Sequence, residues 1–321
     1  MDSGRATSPM LVSLVVPFLN EEAVIPHLFE ILAGTLSGRG QQYRWELVLV
    51  DDGSTDGSVA QIRECAGSFP GEVRVVRLSR NFGHQAALMA GLHQARGEAL
   101  ICLDADLQDP PALFAEFLRH YSEGSDVVYA VRRTREASGW KRLAYWLFYR
   151  VFQSVSEVRI PLDAGDFGLI SRRVATLVCA MPERDVLVRG LRSWVGFRQT
   201  GVPYDRPERS AGETKYSFAK LLRLAASAFF GYSALPLRFA TWLGLGSAAF
   251  AAVYGGYALV TKLRGAGSPA GWTSLAIIVL FLGGVQLISI GILGEYIGRI
   301  YQQTQGRPLY VVAETLEVRK E

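Results

Sequence analysis

A short acidic segment, Leu103–Pro111, contains the residues whose types and spacing best suit chemistry. Asp104 and Asp106 are separated by one residue, and Gln108 follows at the same interval. Alternate residues of an extended chain point the same way, so we expect these three side chains to direct oxygen atoms at one point. Oxygen ligands suit a hard divalent cation, Mg²⁺ or Mn²⁺, that keeps positions open for substrate phosphates. Taken alone, Asp-x-Asp is more often a solvated acidic turn before a helix, so other motifs must decide.

The elements that would position this segment are apolar runs alternating with helical patterns, which predict an α/β fold with a mostly parallel sheet covered on both faces. The predicted strands are Leu11–Val16, Leu47–Val50, Val73–Leu78, Ala99–Leu103 and Asp126–Val131. In such sheets, ligands bind beyond the carboxyl ends of the strands. Polar clusters follow the first, second and fourth predicted strands, so we expect them to meet at one edge.

Two long stretches near the C-terminus, Phe239–Thr261 and Gly265–Gly294, contain no charged residue. Each exceeds the roughly 20 residues that a helix needs to cross a bilayer. They predict transmembrane helices at about 237–261 and 273–296, with a buried helical hairpin of a soluble protein as the alternative. The predicted domains are therefore a catalytic domain (1–231), a two-helix transmembrane region (232–300) and a cytoplasmic C-terminal tail (301–321).

Two further stretches, at about 140–155 and 215–231, mix aromatic and basic residues and predict amphipathic helices in the membrane interface. Core helices with exposed charges are the alternative. More basic residues flank the two spans than lie between them, which favours cytoplasmic termini, and residues 1–10 do not resemble a signal peptide. Three isolated cysteines fit a reduced, cytosol-facing domain. The formal net charge of +4 does not by itself indicate nucleic acid, and no nucleic-acid partner is expected.

Three motifs follow one another along the chain: Val15-Val-Pro-Phe-Leu-Asn-Glu-Glu22, Val50-Asp-Asp-Gly-Ser-Thr-Asp-Gly57 and Asp104-Ala-Asp-Leu-Gln108. Together they resemble glycosyltransferase family 2 with a GT-A (Rossmann-like) fold. Asp163-Ala-Gly-Asp-Phe-Gly-Leu-Ile-Ser-Arg172 and Arg209-Ser-Ala-Gly-Glu-Thr-Lys-Tyr216, followed by two spans, narrow the resemblance. Residues 11 to 305 then resemble the polyisoprenyl-phosphate glycosyltransferases, close to bactoprenol glucosyltransferases and more distantly to dolichol-phosphate mannose synthases.

The resemblance implies a sugar-nucleotide site at the strand ends. Its nucleotide-binding positions are Pro17, Leu19, Glu21, Glu22, Asp52 and Asp104, with Glu21 and Glu22 not separable from sequence. Asp104, Asp106 and Gln108 would bind the Mg²⁺ or Mn²⁺ that neutralises charge on the leaving diphosphate. Alone, Asp51-Asp52-Gly-Ser would instead be a strand-to-helix turn with a cap.

The acceptor implied by the resemblance is a lipid phosphate, undecaprenyl phosphate, and the donor a UDP-sugar, with UDP-glucose the first choice. A phosphate monoester has a second pKa of about 6, so it is already an anionic nucleophile at neutral pH. Asp166 matches the position often proposed as the family's base, and its role as base or positioning group stays open. Arg132, Arg209 and Lys215 could clamp phosphate oxygens, although membrane-surface basicity would also explain them. The resemblance further implies inversion at the anomeric carbon, the cytoplasmic face of a bacterial inner membrane, and a tetramer.

Three other classes share some of these features. Processive polysaccharide synthases carry a Gln-x-x-Arg-Trp motif after the acidic motifs. The nearest stretch in this chain, Arg189–Trp194, departs from that motif. A nucleotidyltransferase should carry a glycine-rich basic loop after the first strand, which Val16–Glu21 lacks. A non-catalytic membrane scaffold is disfavoured by the intact acidic residues. Two smaller expectations are that His84 begins a helix rather than catalyses, and that Gln303–Pro308 is a simple exit from the membrane.

Overall fold

The computed structural model describes residues 9–37, 42–133, 164–184, 186–205, 235–264 and 271–318. The chain divides into two compact units, of which we call the first the sheet domain and the second the helical pair. The strands of the sheet domain are β1 (Met10–Phe18), β2 (Tyr43–Asp51), β3 (Glu72–Leu78), β4 (Ala99–Cys102), β5 (Val127–Arg132), β6 (Ala164–Ser171), β7 (Gln199–Tyr204) and β8 (Val312–Val318). Its helices are α1 (Ile25–Leu36), α2 (Ser58–Cys65), α3 (His84–Gln94), α4 (Phe114–Ser122), α5 (Arg172–Ala180) and α6 (Val188–Trp194), with short 3₁₀ turns at Ala66–Ser68 and Pro111–Leu113. The helical pair contains α7 (Leu235–Leu263) and α8 (Trp272–Thr304).

The eight strands of the sheet lie in the order β7-β5-β6-β4-β1-β2-β3-β8. Strand β1 pairs in parallel with β2 and β4, and β2 pairs in parallel with β3. Antiparallel β6 lies between β4 and β5, and antiparallel β8 covers the free edge of β3. The predicted mostly parallel α/β sheet is therefore confirmed, and the carboxyl ends of the adjacent parallel strands β1, β2, β3 and β4 lie at the same edge.

The strands read as continuous apolar runs because both faces of the sheet are buried. Successive residues of β1 enter opposite clusters, with Leu14 and Val16 in one and Val15 in the other. Helices α1 and α4 complete the first cluster, whereas α3 and α5 complete the second. This alternation follows from the two-residue repeat of a strand.

Helix α3 packs unusually close to the sheet at Gly91. A methyl group on this residue would lie 2.3 Å from Val15 Cγ1 and 3.0 Å from Val50 Cγ2. A contact of 2.3 Å is too short for a close-packed interior, so a larger residue at this position would push the helix outward. Glycine at this position thus helps to place the first residues of α3, which belong to the site described below.

The end of the chain adds an edge strand to the sheet domain. Strand β8 pairs with β3 from Val318 opposite Val73 to Val312 opposite Leu78. Ion pairs reinforce the edge, since Arg77 Nη1 lies 2.6 Å from Glu314 Oε1. The predicted cytoplasmic tail (301–321) thus contains a strand that is short, half-exposed and charged, as suits an edge strand, and its cytoplasmic location stays a prediction.

The two helices of the helical pair correspond to the two predicted spans. They run over 29 and 33 residues and pack against each other, with Phe250 and Phe281 in an edge-on ring contact at 6.5 Å. Large apolar side chains such as Trp242 and Leu280 are exposed on their outer surfaces. Both helices are long and apolar enough to cross a membrane. The amphipathic helices predicted at about 140–155 and 215–231 lie outside the described residues.

Candidate active site

An open cleft of about 310 Å³ lies at the carboxyl ends of the central strands. Three chain segments line it, one after each of β1, β2 and β4, together with the loop that leads into α3. The lining residues are Pro17, Phe18, Leu19, Glu21, Asp52, Asn81, Gly83, His84, Ala87, Asp104, Ala105 and Asp106. The structure therefore brings the three acidic motifs to one place, as the parallel sheet required. Of the predicted site residues, Glu22, Gln108, Asp166 and Arg132 are not in this lining.

The loops after β1 and β2 are tied together by hydrogen bonds between backbone and side chains. The Asn20 backbone N–H donates to Ser54 Oγ at 2.9 Å, and the Thr55 N–H donates to Asn20 Oδ1 at 2.8 Å. Asn20 has a φ of 56°, a left-handed conformation that asparagine tolerates well. The Glu21 N–H also donates to Ser58 Oγ at 2.9 Å. These contacts hold residues 20–22 outside helix α1, which begins at Ile25.

The two adjacent glutamates of the first motif have different surroundings. Glu22 Oε2 accepts a hydrogen bond from the Gly57 N–H at 2.9 Å, and so joins the two loops. The Glu21 side chain lines the cleft, where burial and then the charges of Asp106 and Asp56 raise its pKa. The structure thus separates two residues that the sequence could not, because Glu21 lines the cleft and Glu22 does not.

Asp52 lines the cleft and also builds it. Its two carboxylate oxygens accept hydrogen bonds from the backbone N–H groups of Phe82 (2.8 Å) and Gly83 (2.9 Å). Gly53 has a φ of 84°, and a methyl group there would lie 2.8 Å from the Asn81 nitrogen, so only glycine allows the loops to approach this closely. Asp52 therefore shapes the loop before α3, and direct nucleotide binding by this residue stays a prediction.

The acidic segment after β4 is not extended, contrary to our prediction. A turn occupies Ala105 and Asp106, and Leu107 has a left-handed φ of 55°. This turn places Asp104 and Asp106 in the cleft but redirects Gln108, whose backbone N–H donates to Asp106 Oδ1 at 3.1 Å. The extended geometry was wrong because strand β4 ends at Cys102, before the motif begins. The role of Gln108 as a metal ligand stays a prediction without support from the cleft lining.

The donor set of the cleft fits a divalent cation bound together with a substrate. Burial raises the pKa of Asp104 to about 6, although His84 opposes the rise, and the negative charges of Asp109, Asp166 and Asp106 add to it. Such crowding of carboxylates is relieved by a cation. Within the described ranges no group of three or more His, Cys, Asp or Glu side chains forms a complete metal cage. Two carboxylates with open positions suit Mg²⁺, which usually completes its shell with substrate phosphates and water.

Asp166 on β6 lies next to the first turn of α3. His84 Nε2 is 3.7 Å from Asp166 Oδ2 and 3.5 Å from Asp104 Oδ1, and Gln85 Nε2 donates to Asp166 Oδ2 at 2.6 Å. Burial alone would raise the pKa of Asp166, but His84, Arg192 and Gln85 together lower it, so the carboxylate is charged at neutral pH. The same contact with Asp166 is the main cause that raises the pKa of His84.

The prediction that His84 begins a helix is confirmed, and its lack of a catalytic role stays a prediction. It is the first residue of α3, as expected, yet its imidazole also bridges two site carboxylates. Sequence reasoning missed Gln85 and the fully buried Arg192, whose guanidinium donates to the Gly165 carbonyl at 2.8 Å. The position of His84 and Gln85 at the start of a helix, just beyond the end of strand β3, was the available signal.

The predicted acceptor-binding cations are only partly described by the structure. Arg132 ends β5, and its Nε donates to Tyr204 Oη at 3.3 Å, while Tyr204 in turn donates to the buried Asp109. A methyl group added to Gly165 would lie 3.7 Å from Arg132 Nη2, so this cation sits beside the strand that carries Asp166. Arg209 and Lys215 lie outside the described residues.

Comparison with known proteins matches both parts of the chain. Residues 13–176 match Glycosyl transferase family 2, and residues 235–300 match the GtrB C-terminal hairpin. An uncharacterized glycosyltransferase from Synechocystis is 41% identical over 304 residues, covering 94% of this chain and 95% of that protein. A prophage bactoprenol glucosyl transferase homolog from Escherichia coli is 40% identical over 307 residues, covering 94% and 98%.

A bactoprenol glucosyl transferase from Shigella phage SfII is 39% identical over 310 residues, covering 95% of this chain and 98% of that protein. The family match contains every residue of the cleft, and the hairpin match covers most of α7 and α8. With its GT-A-like sheet and its three acidic motifs in one cleft, the chain belongs to glycosyltransferase family 2.

Proposed function

We propose that this protein transfers a hexose, with glucose the first choice, from a UDP-sugar to undecaprenyl or another polyprenyl phosphate. The observation that carries the proposal is an acidic cleft of Glu21, Asp104 and Asp106 in a chain that also has two helices of membrane-spanning length. A cleft of this kind suits a diphosphate bound with a cation, and the helices suit an enzyme with a lipid substrate. Similarity to bactoprenol glucosyl transferases over nearly the whole chain supports both the sugar and the acceptor.

Donor binding in this proposal uses the loops after β1, β2 and β4. Asp104 and Asp106 would hold Mg²⁺ or Mn²⁺, which supplies electrostatic stabilisation of the leaving diphosphate. Glu21 and the ordered loops beside it would contact the nucleoside, with Pro17 and Leu19 as the apolar side of the cleft. Asp52 contributes by holding the backbone at Phe82 and Gly83 in place.

The acceptor in this proposal needs little help from a base. The second pKa of a phosphate monoester is about 6, so most of the acceptor carries two negative charges at neutral pH. That dianion carries no proton that the charged Asp166 would have to remove. We therefore assign Asp166 to positioning and to shaping the charge distribution of the site. Arg132, which lies beside Gly165 on β6, would form the proposed phosphate clamp together with Arg209 and Lys215. A single displacement at the anomeric carbon would invert its configuration.

The membrane arrangement is part of the proposal. Both termini and the sheet domain would lie on the cytoplasmic side of a bacterial inner membrane, where sugar nucleotides are made. The excess of basic residues outside the two spans supports this orientation. A tetramer is proposed from the family resemblance alone.

A donor screen tests the proposal directly. The purified protein in detergent would be incubated with undecaprenyl phosphate, Mg²⁺ or Mn²⁺, and radiolabelled UDP- and GDP-sugars, and the lipid would then be extracted. Metal-dependent label in the lipid from UDP-glucose is the expected result. Label from a different donor would correct the sugar, whereas donor binding with no transfer from any donor would refute the transferase assignment for this acceptor.

A further inference from the structure

We propose that Gln85 is a positioning residue that orients the Asp166 carboxylate through one hydrogen bond, an inference that rests on the proposed transfer. Gln85 Nε2 donates to Asp166 Oδ2 at 2.6 Å, across 81 residues of sequence. His84 lies 3.7 Å from the same oxygen, which is too long for a normal hydrogen bond. Asp166 Oδ1 is buried and has no hydrogen-bond partner among the described residues. The orientation of the carboxylate in the described structure therefore depends mainly on Gln85.

Gln85 is itself held at the other end of its amide. Its Oε1 accepts a hydrogen bond from the Val188 N–H at 2.8 Å, at the first residue of α6. One amide group thus satisfies a helix-terminal donor and a carboxylate at once, and rotating the amide would break both contacts. This double use makes the side chain a rigid connection between α6 and the carboxylate on β6.

The same helix supplies a second connection to β6. Arg192 on α6 donates to the carbonyl of Gly165, the residue directly before Asp166, at 2.8 Å. Its guanidinium is buried and also lies 5.5 Å from the ring centre of Tyr129. The backbone of Asp166 is therefore fixed by Arg192, whereas the direction of its side chain is fixed by Gln85. A residue whose backbone and side chain are both held in place is preorganised for a ligand.

Two substitutions separate the two hydrogen bonds of Gln85. Gln85→Glu keeps an oxygen for the Val188 N–H but cannot donate to Asp166 when ionised, and it places a like charge beside that carboxylate. Gln85→Leu removes both contacts with little change in volume. Loss of a hydrogen bond to a charged group predicts a fall in kcat on the order of 10- to 100-fold for each variant. The donor KM should stay within about threefold of the wild-type value, because Gln85 is not among the cleft-lining residues.

Matched controls come from the C-terminal end of α3, the helix that carries Gln85 near its start. Gln94 uses its backbone carbonyl, and not its side chain, to accept from Arg74 at 2.7 Å. Gln94→Glu and Gln94→Leu therefore reproduce the chemical changes on α3 at a distance from Asp166, and their kcat should equal that of the wild type. Thermal midpoints of all variants in detergent, measured beside donor binding, would show that the fold is retained.

A double-variant cycle decides whether Gln85 acts through Asp166. If it does, Gln85→Leu combined with Asp166→Asn should be no slower than Asp166→Asn alone. The positioning role would be overturned if the kcat losses of the two single variants multiply in the double variant. It would also be overturned if kcat is unchanged in both Gln85 variants, or if donor binding falls in proportion to kcat. The wild-type protein in the same assay separates the two proposals: an active wild type with unaffected Gln85 variants refutes only the positioning role, whereas a wild type without transfer overturns both.

Discussion

Replacing Arg74 with methionine is expected to destabilise the sheet domain strongly without removing any group from the cleft. Arg74 on β3 and Glu46 on β2 form an ion pair at 3.1 Å, with side chains 5% and 0% exposed. The second oxygen of Glu46 accepts from Ser13 Oγ at 2.5 Å and from the Arg96 N–H at 2.8 Å. This network joins three strands at the end of the sheet opposite the cleft.

The magnitude follows from the burial of the pair. Arg74→Met leaves the Glu46 carboxylate buried without its cation, and breaking a buried pair in this way typically costs about 3–5 kcal/mol. For a domain of this size, each kcal/mol lowers the thermal midpoint by roughly 2–4 °C, so a fall of about 6–20 °C is expected. Adding Glu46→Gln removes the stranded charge, and the double variant should recover part of the loss.

The assay is thermal unfolding in detergent followed by circular dichroism. Arg44→Met is the matched control, because Arg44 and Glu72 form a pair at 3.4 Å on the same two strands but are 60% and 57% exposed. An exposed pair of this kind contributes about 1 kcal/mol at most, so its midpoint should fall by only a few degrees. Equal midpoints for Arg74→Met and Arg44→Met would refute the argument from burial, as would a double variant that melts below both single variants.

Three other predictions address the site and the edge of the sheet. Asp106→Ala should abolish metal-dependent sugar transfer while donor-free thermal stability stays near that of the wild type, and near-normal turnover would exclude Asp106 as a metal ligand. Glu21→Gln should weaken UDP-sugar binding, measured by calorimetry, by about tenfold, because a charged acceptor loses one hydrogen bond. Glu22→Gln should instead chiefly lower the thermal stability. The reverse pattern would contradict the different roles given to the two glutamates. Truncation after Arg307 removes β8 and bares the edge of β3, so the shortened protein should melt earlier and aggregate, and an unchanged midpoint would show that the strand is dispensable.

Local patterns were sufficient to predict the elements that build the cleft. All five predicted strands are present, since a strand buried on both faces must be apolar along its length and its end is marked by the first polar residues. The parallel arrangement then requires those polar ends to meet, and Leu19, Asp52 and Asp104 do line one cleft. The two long helices were equally predictable, because a long stretch without charged residues is compatible with few structures other than a membrane-spanning or buried helix.

Other features depend on partners that are distant in sequence. Strand β8 pairs with β3 through Arg77 and Glu314, 237 residues apart, and no short window of sequence contains that contact. The turn at Leu107 was missed because the alternation of Asp104 and Asp106 fits either an extended segment or a turn.

The sequence by itself determined the fold class, the two membrane-length helices and the motifs that place this chain in glycosyltransferase family 2. These depend on hydrophobic periodicity and on short runs of residues, which are local properties of the chain. Only the tertiary structure decided that Glu21 and not Glu22 faces the cleft, and that Gln85 contacts Asp166. Those outcomes depend on the direction of single side chains across packed elements, and that direction is set by the surrounding contacts.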